Sequence, residues 1–407
     1  MKMQLISDLH IHSRFSRGTS QDLNITNLEK WAKIKGLGLL GTGDFCHPEW
    51  LRELKRELNE DGSGILRTKN DFPFVLSNEV SLMYNQGNKQ RRVHLVLLAP
   101  SFEIVEKITN YLKTKGRIDY DGRPIFSIPC RDFAEAMFNI SDDIEIIPAH
   151  AWTPWFGIFG SVTGFDSIEE AFLDKANLIH AFETGMSSDP AMNWRLSRLD
   201  KYTIVSFSDS HCYWPWRLGR EATVFELQKL TYKNIIESIR NNKIAFTIET
   251  PPGYGKYHYD GHRFCNFSCS PSETKKYNGV CPVCRKPLTI GVLHRVEELA
   301  DRREGFRPSH ARPFKSLLPL HELIAAVLQT SVTAKKVWQE YKNLIDAFGN
   351  EFCVLLDAPV EQIKKVTSPQ IAHAIKLNRD GKIKVKPGYD GKYGELVLEI
   401  EKQEKLC

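Results

Sequence analysis

No stretch of this sequence is apolar for long enough to cross a bilayer. The opening residues, Met1-Lys-Met-Gln-Leu-Ile-Ser-Asp8, run straight into a strand with an acidic end, which is not the pattern of a secretory leader. Membrane association and secretion are therefore not expected, and an intracellular, cytoplasmic protein is. Internal repeats and low-complexity tracts are missing too, which excludes solenoids and disordered linker proteins. The nine cysteines are an odd number, and in a reducing compartment those that cluster point to metal, not to disulfides. What is present is ordinary globular material, 42% hydrophobic and 26% charged. At 407 residues it is too long for one core, so two or three domains are expected.

The net charge of +5 hides an asymmetry. Residues 251–407 carry 25 Lys+Arg against 18 Asp+Glu, whereas the first 250 carry 30 against 32. Between Arg263 and Lys315 there are 11 basic and 5 acidic residues. A basic second half beside an acidic first half suits nucleic acid on one part and cations on the other. Charge alone is equally compatible with a solvated basic surface.

To about residue 225, short apolar runs at 3–6, 38–41, 74–76, 93–99, 145–148, 178–182 and 203–207 read as buried strands. Helical patterns at 24–35, 47–58, 102–115, 168–175 and 190–199 lie between several of them. This alternation predicts an α/β fold with a parallel sheet or closed barrel. Polar residues capable of holding metal fall at or near the strand ends: His10 and His12, Asp44, Glu79, His94, His150, Glu183, and Asp209 with His211. In α/β barrels the site is built from such ends. Residues two apart in a strand face the same side, so His10 and His12 can chelate one ion, as can Asp209 and His211. Glu79 has two oxygens with which to bridge two metals, and Asp8 is placed to orient a ligand imidazole. Imidazoles and carboxylates together suit zinc, manganese or a similar divalent ion.

Asp8-Leu-His-Ile-His12-Ser, Gly41-Thr-Gly-Asp44, Glu79, His94, His150, Glu183 and Asp209-Ser-His211 together resemble the polymerase and histidinol phosphatase (PHP) superfamily. The resemblance covers about the first 220 residues. It implies a distorted (β/α)7 barrel with two or three divalent metals, zinc or else manganese or magnesium, and hydrolysis of phosphoesters. Catalysis would then centre on Asp209, His211, Glu79 and His150. The family has a histidine after the second-motif aspartate, but here Phe45 follows Asp44 and the nearest imidazole is His47. Either Asp44 or His47 is the candidate ligand there.

Pro251-Pro-Gly-Tyr-Gly opens a change of texture. Cys265-x3-Cys269 and Cys281-Pro-Val-Cys284, eleven residues apart, form two knuckle-like pairs. Four thiolates on tight turns close a tetrahedral shell, so one structural zinc on Cys265, Cys269, Cys281 and Cys284 is expected. Residues 320–376 are helical in pattern, and 381–400 alternate like a hairpin with Asp390-Gly391 at its turn. The expected boundaries are a PHP barrel at 1–225, a connecting region at 226–256, the four-cysteine zinc module at 257–293 and a basic, mainly helical region at 294–407.

With Tyr257-His-Tyr-Asp-Gly-His262-Arg, His294-Arg-Val-Glu-Glu-Leu-Ala-Asp-Arg302-Arg303 and Pro387-Gly-Tyr-Asp-Gly-Lys-Tyr, nearly the whole chain resembles the endonuclease Q family. That resemblance implies DNA cleavage 5′ to deaminated bases (uracil, hypoxanthine, xanthine) or abasic sites. Testing a base requires taking it out of the stack. The loop His150-Ala-Trp152-Thr-Pro-Trp155-Phe156-Gly-Ile-Phe159-Gly160 offers four aromatics to stack or wedge, and Trp214 offers a second wall. Arg302 and Arg303 are the candidate backbone contacts. Two other readings are a PHP phosphatase of a small phosphomonoester and an inactive barrel that binds nucleic acid. A small substrate needs neither zinc module nor basic stretch, and an inactive barrel needs no full ligand set. Family members can carry a sliding-clamp peptide at the C-terminus. The tail Glu401-Lys-Gln-Glu-Lys-Leu-Cys407 lacks its hydrophobic and paired aromatic residues, so clamp binding is not expected.

Overall fold

Asn24 starts the first crossover helix by accepting a hydrogen bond from the backbone N–H of Asn27. Gly36 ends it in the left-handed region, at φ 94°, so that the helix Ile25–Lys35 buries Leu28 and Ala32. The computed structural model describes residues 2–397, and the clamp-peptide region at 401–407 lies outside them, as does the end of the expected hairpin.

Among the described residues, seven strands form a ring: β1 (Met3–Asp8), β2 (Leu39–Gly41), β3 (Pro73–Gln86), β4 (Lys89–Ala99), β5 (Glu145–Pro148), β6 (Ala181–Glu183) and β7 (Thr203–Val205). β1, β2 and β3 pair in parallel. β3 and β4 form a long antiparallel hairpin, and β4 pairs antiparallel with β5. The N–H of Ala151 donates to Glu183 O at 2.9 Å, carrying the ring from β5 to β6, which runs parallel to β7. A bridge from Ile11 to Ser210 closes it on β1. One reversed strand is what makes the barrel distorted.

Alternation assigns the two faces of each strand. Leu39, Val75, Val96, Ile147, Ala181 and Val205 share one core cluster with Ile235 and Ile239, which plug the barrel interior. Leu40, Phe74, Leu76, Leu95, Leu97, Ile146 and Phe182 join the other, beneath helices that supply Leu28, Trp50, Val105 and Phe133.

The stretch 226–256, expected to be connecting, is part of this sheet. Its helix Tyr232–Arg240 follows β8 (Ala222–Leu227), which pairs antiparallel with β1, and leads to β9 (Phe246–Glu249), antiparallel with β8. The strand expected at 74–76 is far longer in the fold. Polar Ser77, Asn78 and Ser81 interrupt the apolar run, yet all are buried in β3.

Beyond the barrel, Asp260–His262 and Phe267–Cys269 form a small hairpin. The helices Leu320–Val327, Lys335–Phe348 and Pro369–Arg379 pack around Leu323, Tyr341, Leu344 and Ile375. Lys384–Lys386 pairs antiparallel with Glu395–Val397 around the Asp390-Gly391 turn. One fully buried ion pair joins this region to the barrel: Lys35 Nζ lies 2.6 Å from Glu351 Oε1 and also donates to Pro215 O at 2.7 Å.

Candidate active site

Two groups of metal-capable atoms meet at one carboxylate. His10, His12, Glu79 and Asp209 bring their donor atoms within 4.8 Å of one another, and Glu79, His94 and His150 do the same. Glu79, in the middle of β3, belongs to both. Its Oε1 lies 2.8 Å from His94 Nδ1 and 3.1 Å from His150 Nε2, while Oε2 lies 3.3 Å from His12 Nε2. Burial would raise Glu79, but His94, Arg123 and His10 hold its carboxyl well below the usual carboxylate range. Burial likewise pushes Asp209 up, and His211, His12 and His10 override it. Burial dominates at His94 and lowers its imidazole to about 4, leaving it neutral with a lone pair to offer.

These residues fit divalent metal. The Nε2 of His10 is buried with no hydrogen-bond partner, facing the carboxylates of Glu79 and Asp209 at 3.7 and 3.6 Å. Such an orphaned lone pair beside two carboxylates is costly unless a cation satisfies it. Its Nδ1 is held at 2.8 Å by Glu183, and His12 Nδ1 at 3.0 Å by Asp44. Carboxylates in those positions fix the ring and turn Nε2 inward. His150, Asp44 and Asp209 all sit at positive φ (29°, 49° and 47°), a strain found where geometry is dictated by a site.

Four predicted ligands thus fall outside both groups. Asp44 is fully engaged by Ser13, Ser16 and His12. His47 stacks on Phe15 with ring centroids 4.4 Å apart. Glu183 orients His10, and His211 pairs through Nδ1 with the carbonyl of Asp209, 3.0 Å away. Asp8 does not meet an imidazole either. It receives the N–H groups of Ser208 and Gly219, at 3.0 and 2.9 Å, and so anchors the segment that carries Asp209.

Both groups open into a cavity of about 450 Å³ whose lining includes His94, His150 and Asp209 as well as Trp155, Phe156, Tyr257 and Tyr393. Arg123, Arg220 and Lys256 add positive charge to its walls. That is room for a nucleotide-sized group beside metal ligands and aromatic rings.

The region 319–382 matches the family model described as the MJ0043 C-terminal domain. Over 317 residues the chain is 34% identical to the uncharacterized protein MJ0043 of Methanocaldococcus jannaschii, covering 74% of this chain but only 39% of that protein. The uncharacterized protein YqxK of Bacillus subtilis is 26% identical over 419 residues, 97% of this chain and 99% of that one. Among solved structures, the lesion-specific endonuclease PfuEndoQ from Pyrococcus furiosus superposes with a TM-score of 0.87 at 32% identity, covering 97% of this chain and 96% of that one. Endonuclease Q bound to a 27-mer duplex substrate with an abasic lesion at its active site gives 0.88 at 32% identity, over 97% of both chains. The chain belongs to the endonuclease Q family.

Within this endonuclease Q family chain, the aromatic candidates divide. Trp155 and Phe156 are half-buried at the cavity, Phe156 against His94 at 4.3 Å and Trp155 beside Tyr257 at 6.0 Å. Trp152 and Phe159 are core residues instead. They pack on each other at 4.9 Å, and the Trp152 indole donates to Asn193 Oδ1 at 2.7 Å. The loop's glycines permit close packing: a Cβ at Gly160 would stand 2.4 Å from Thr153 O. Trp214 stacks on Trp216 at 5.4 Å and packs against Trp31 and Trp338, away from the cavity lining. Spacing after His150 and His211 could not distinguish these fates. Arg302 is also committed, to Asp200 at 2.5 Å and to the carbonyl of Trp194, while Arg303 is exposed.

The cysteine-rich hairpin differs from expectation in one ligand. His262, Cys265, Cys281 and Cys284 form the close group, whereas Cys269 is buried with its Sγ 3.2 Å from Thr274 Oγ1. His262 and Cys269 lie on opposite strands of the hairpin, and His262 pairs with Phe267 two residues before Cys269. Residues two apart in a strand face the same side, so the two share a face and are separated along the hairpin, His262 lying 3.5 Å from Cys284 Sγ and Cys269 sitting in the small core beside Thr274. Sequence reasoning also missed Arg123, Lys256, Tyr257 and Tyr393. The two tyrosines lie in stretches that carried the family resemblance, but nothing near Arg123 marks it.

Proposed function

We propose that this chain is a metal-dependent DNA-repair endonuclease that hydrolyses the phosphodiester 5′ to a deaminated base or an abasic site. The observation that supports it best is the shared cavity, where His94, His150 and Asp209 from the two donor groups line nucleotide-sized space together with aromatic rings. His10, His12, Glu79 and Asp209 would hold one ion, and Glu79, His94 and His150 a second. A third would lie within reach of Asp209 and His211. The nitrogen and oxygen donors suit zinc, manganese or magnesium. Ions held there would supply charge neutralisation for a phosphodiester and a nucleophilic hydroxide near neutral pH.

The protein's own part is positional. Asp44 and Glu183 keep His12 and His10 in register, and Asp8 holds the segment before Asp209. Trp155 and Phe156 would receive a base drawn from the stack, each stack contributing about 1–3 kcal/mol. Lys256, Arg220 and exposed cations such as Arg303 would meet backbone phosphates. His262, Cys265, Cys281 and Cys284 would hold one structural zinc.

The test is cleavage of end-labelled duplexes containing deoxyuridine, deoxyinosine or an abasic site, beside an undamaged duplex and a small phosphomonoester. A single cut 5′ to each lesion, dependent on added divalent metal, is expected. Turnover of the monoester with every duplex left intact would favour a phosphatase and overturn this reading.

A further inference from the structure

Arg123 is the one guanidinium, among the described residues, in contact with the carboxylate that joins the two donor groups. Its Nη1 lies 3.0 Å from Glu79 Oε2, and the side chain, 25% exposed, lines the cavity. A guanidinium stays charged at any ordinary pH. A cation built into a cation-binding site is unfavourable unless an anion belongs there as well.

The backbone around it is fixed on every side. The N–H of Arg123 donates to Asp121 Oδ1 at 3.1 Å, and that same oxygen receives the N–H of Arg17. Gly122 donates to Phe15 O at 3.0 Å, and Pro124 accepts from Ser81 N–H at 3.0 Å. Gly122 presses on the site so closely that a Cβ there would meet Asp44 Oδ2 at 2.2 Å. The segment is therefore a rigid brace that delivers one guanidinium to the mouth of the metal centre. Among the described residues, Glu79 is the only hydrogen-bond partner of the Arg123 side chain. The rest of the planar donor fork is uncommitted. With two divalent ions bound, the four carboxylates of Glu79, Asp209, Glu183 and Asp44 would offset the ions but not Arg123 as well, and the site would be net positive. An anion with paired oxygens fits what is left over, and a guanidinium fork matches phosphate better than an ammonium does.

We infer that Arg123 is a catalytic residue that donates to a non-bridging oxygen of the phosphodiester being cut. This rests on the endonuclease reading above.

The experiment compares full-length, metal-loaded wild type with Arg123→Ala and Arg123→Lys on a deoxyuridine duplex under single-turnover conditions. Barrel-metal content and duplex affinity are measured on the same preparations. The cleavage rate of Arg123→Ala should fall by about 10²–10³-fold, with metal content unchanged and affinity within about threefold. Free guanidinium should restore part of the rate to Arg123→Ala and none to Arg123→Lys. An unchanged rate in Arg123→Ala would overturn the inference, and so would loss of activity in proportion to lost metal, which would make Arg123 only a prop for Glu79. Failure of the wild type to cut would instead overturn the endonuclease reading itself.

Discussion

Nδ1 of His12 stands 3.0 Å from Oδ1 of Asp44, and this pairing leaves Nε2 as the only ring nitrogen free to face Asp209 and Glu79. Asp44 reads in the sequence as a ligand, whereas in the fold it dictates which nitrogen of its neighbour is presented. Asp44→Asn should therefore weaken barrel-metal affinity by about 10–100-fold without emptying the site. Competitive titration with a chromogenic chelator measures this. Wild-type affinity would deny Asp44 its orienting role.

Asp209→Asn should do more. Asp209 belongs to the donor group itself, so cleavage should fall by more than the ~10–100-fold expected when only an orienting partner is lost. Binding to a lesion duplex should persist, because backbone contacts made elsewhere supply most of the affinity. Filter binding beside single-turnover cleavage separates the two, and near-normal cleavage would remove Asp209 from the centre.

Once a mild chelator has stripped the barrel, Cys269→Ser should keep one zinc per chain and Cys284→Ser none, as measured by elemental analysis after gel filtration. His262→Ala should behave like Cys284→Ser. In the unaltered protein a mild chelator should strip the barrel metals first, since open sites exchange faster than a closed shell. Zinc loss from Cys269→Ser would restore the four-cysteine arrangement.

Trp155→Ala should reduce discrimination between deoxyuridine and thymidine duplexes by about 1–3 kcal/mol. The slope of log affinity against log salt should stay where it is, because stacking releases no counterions. Trp152→Phe, by contrast, should act on stability, since its indole donor is buried against Asn193.

Glu249 carries a pH signature. Burial, outweighing the hydrogen bond from Thr184, raises its carboxyl from 4.5 to about 8, and Glu221 beside it is raised in the same direction. A group that holds its proton more tightly folded than unfolded withdraws stability as pH rises, starting near 4.5 and ending above about 8. Urea unfolding across that window should show declining stability in the wild type and a flatter profile in Glu249→Gln. Parallel profiles would mean that Glu249 is not protonated in the fold.

Strand ends are legible in the sequence because an apolar run that stops at His, Asp or Glu seldom arises from packing alone. Of the donors that converge, His10, His12, His150 and Asp209 follow that pattern in the fold, whereas Glu79 and His94 lie in the middle of the long hairpin of β3 and β4. What it cannot convey is rank within the cluster. Asp44, Glu183 and His211 have the same chemistry as the converging donors and differ only by a few ångströms set by β3 and by left-handed backbone at Asp44 and Asp209. Arg123 is invisible in the sequence because its role depends on a brace assembled from Phe15, Asp121 and Ser81, far apart in the chain. The aromatic loop misleads in the opposite sense. Trp152, Trp155, Phe156 and Phe159 look alike in sequence, and only packing sends two inward and two to the cavity.

The ion pair between Lys35 and Glu351 bears on how such a protein can be taken apart. A barrel cut away from residues 319–382 would lose the carboxylate that pairs with Lys35, and removing that carboxylate alone, as in Glu351→Ala, leaves a buried ammonium unpaired at a cost of about 3–5 kcal/mol. The same ammonium holds Pro215 O, six residues past Asp209. A minimal catalytic fragment is therefore a poor engineering target.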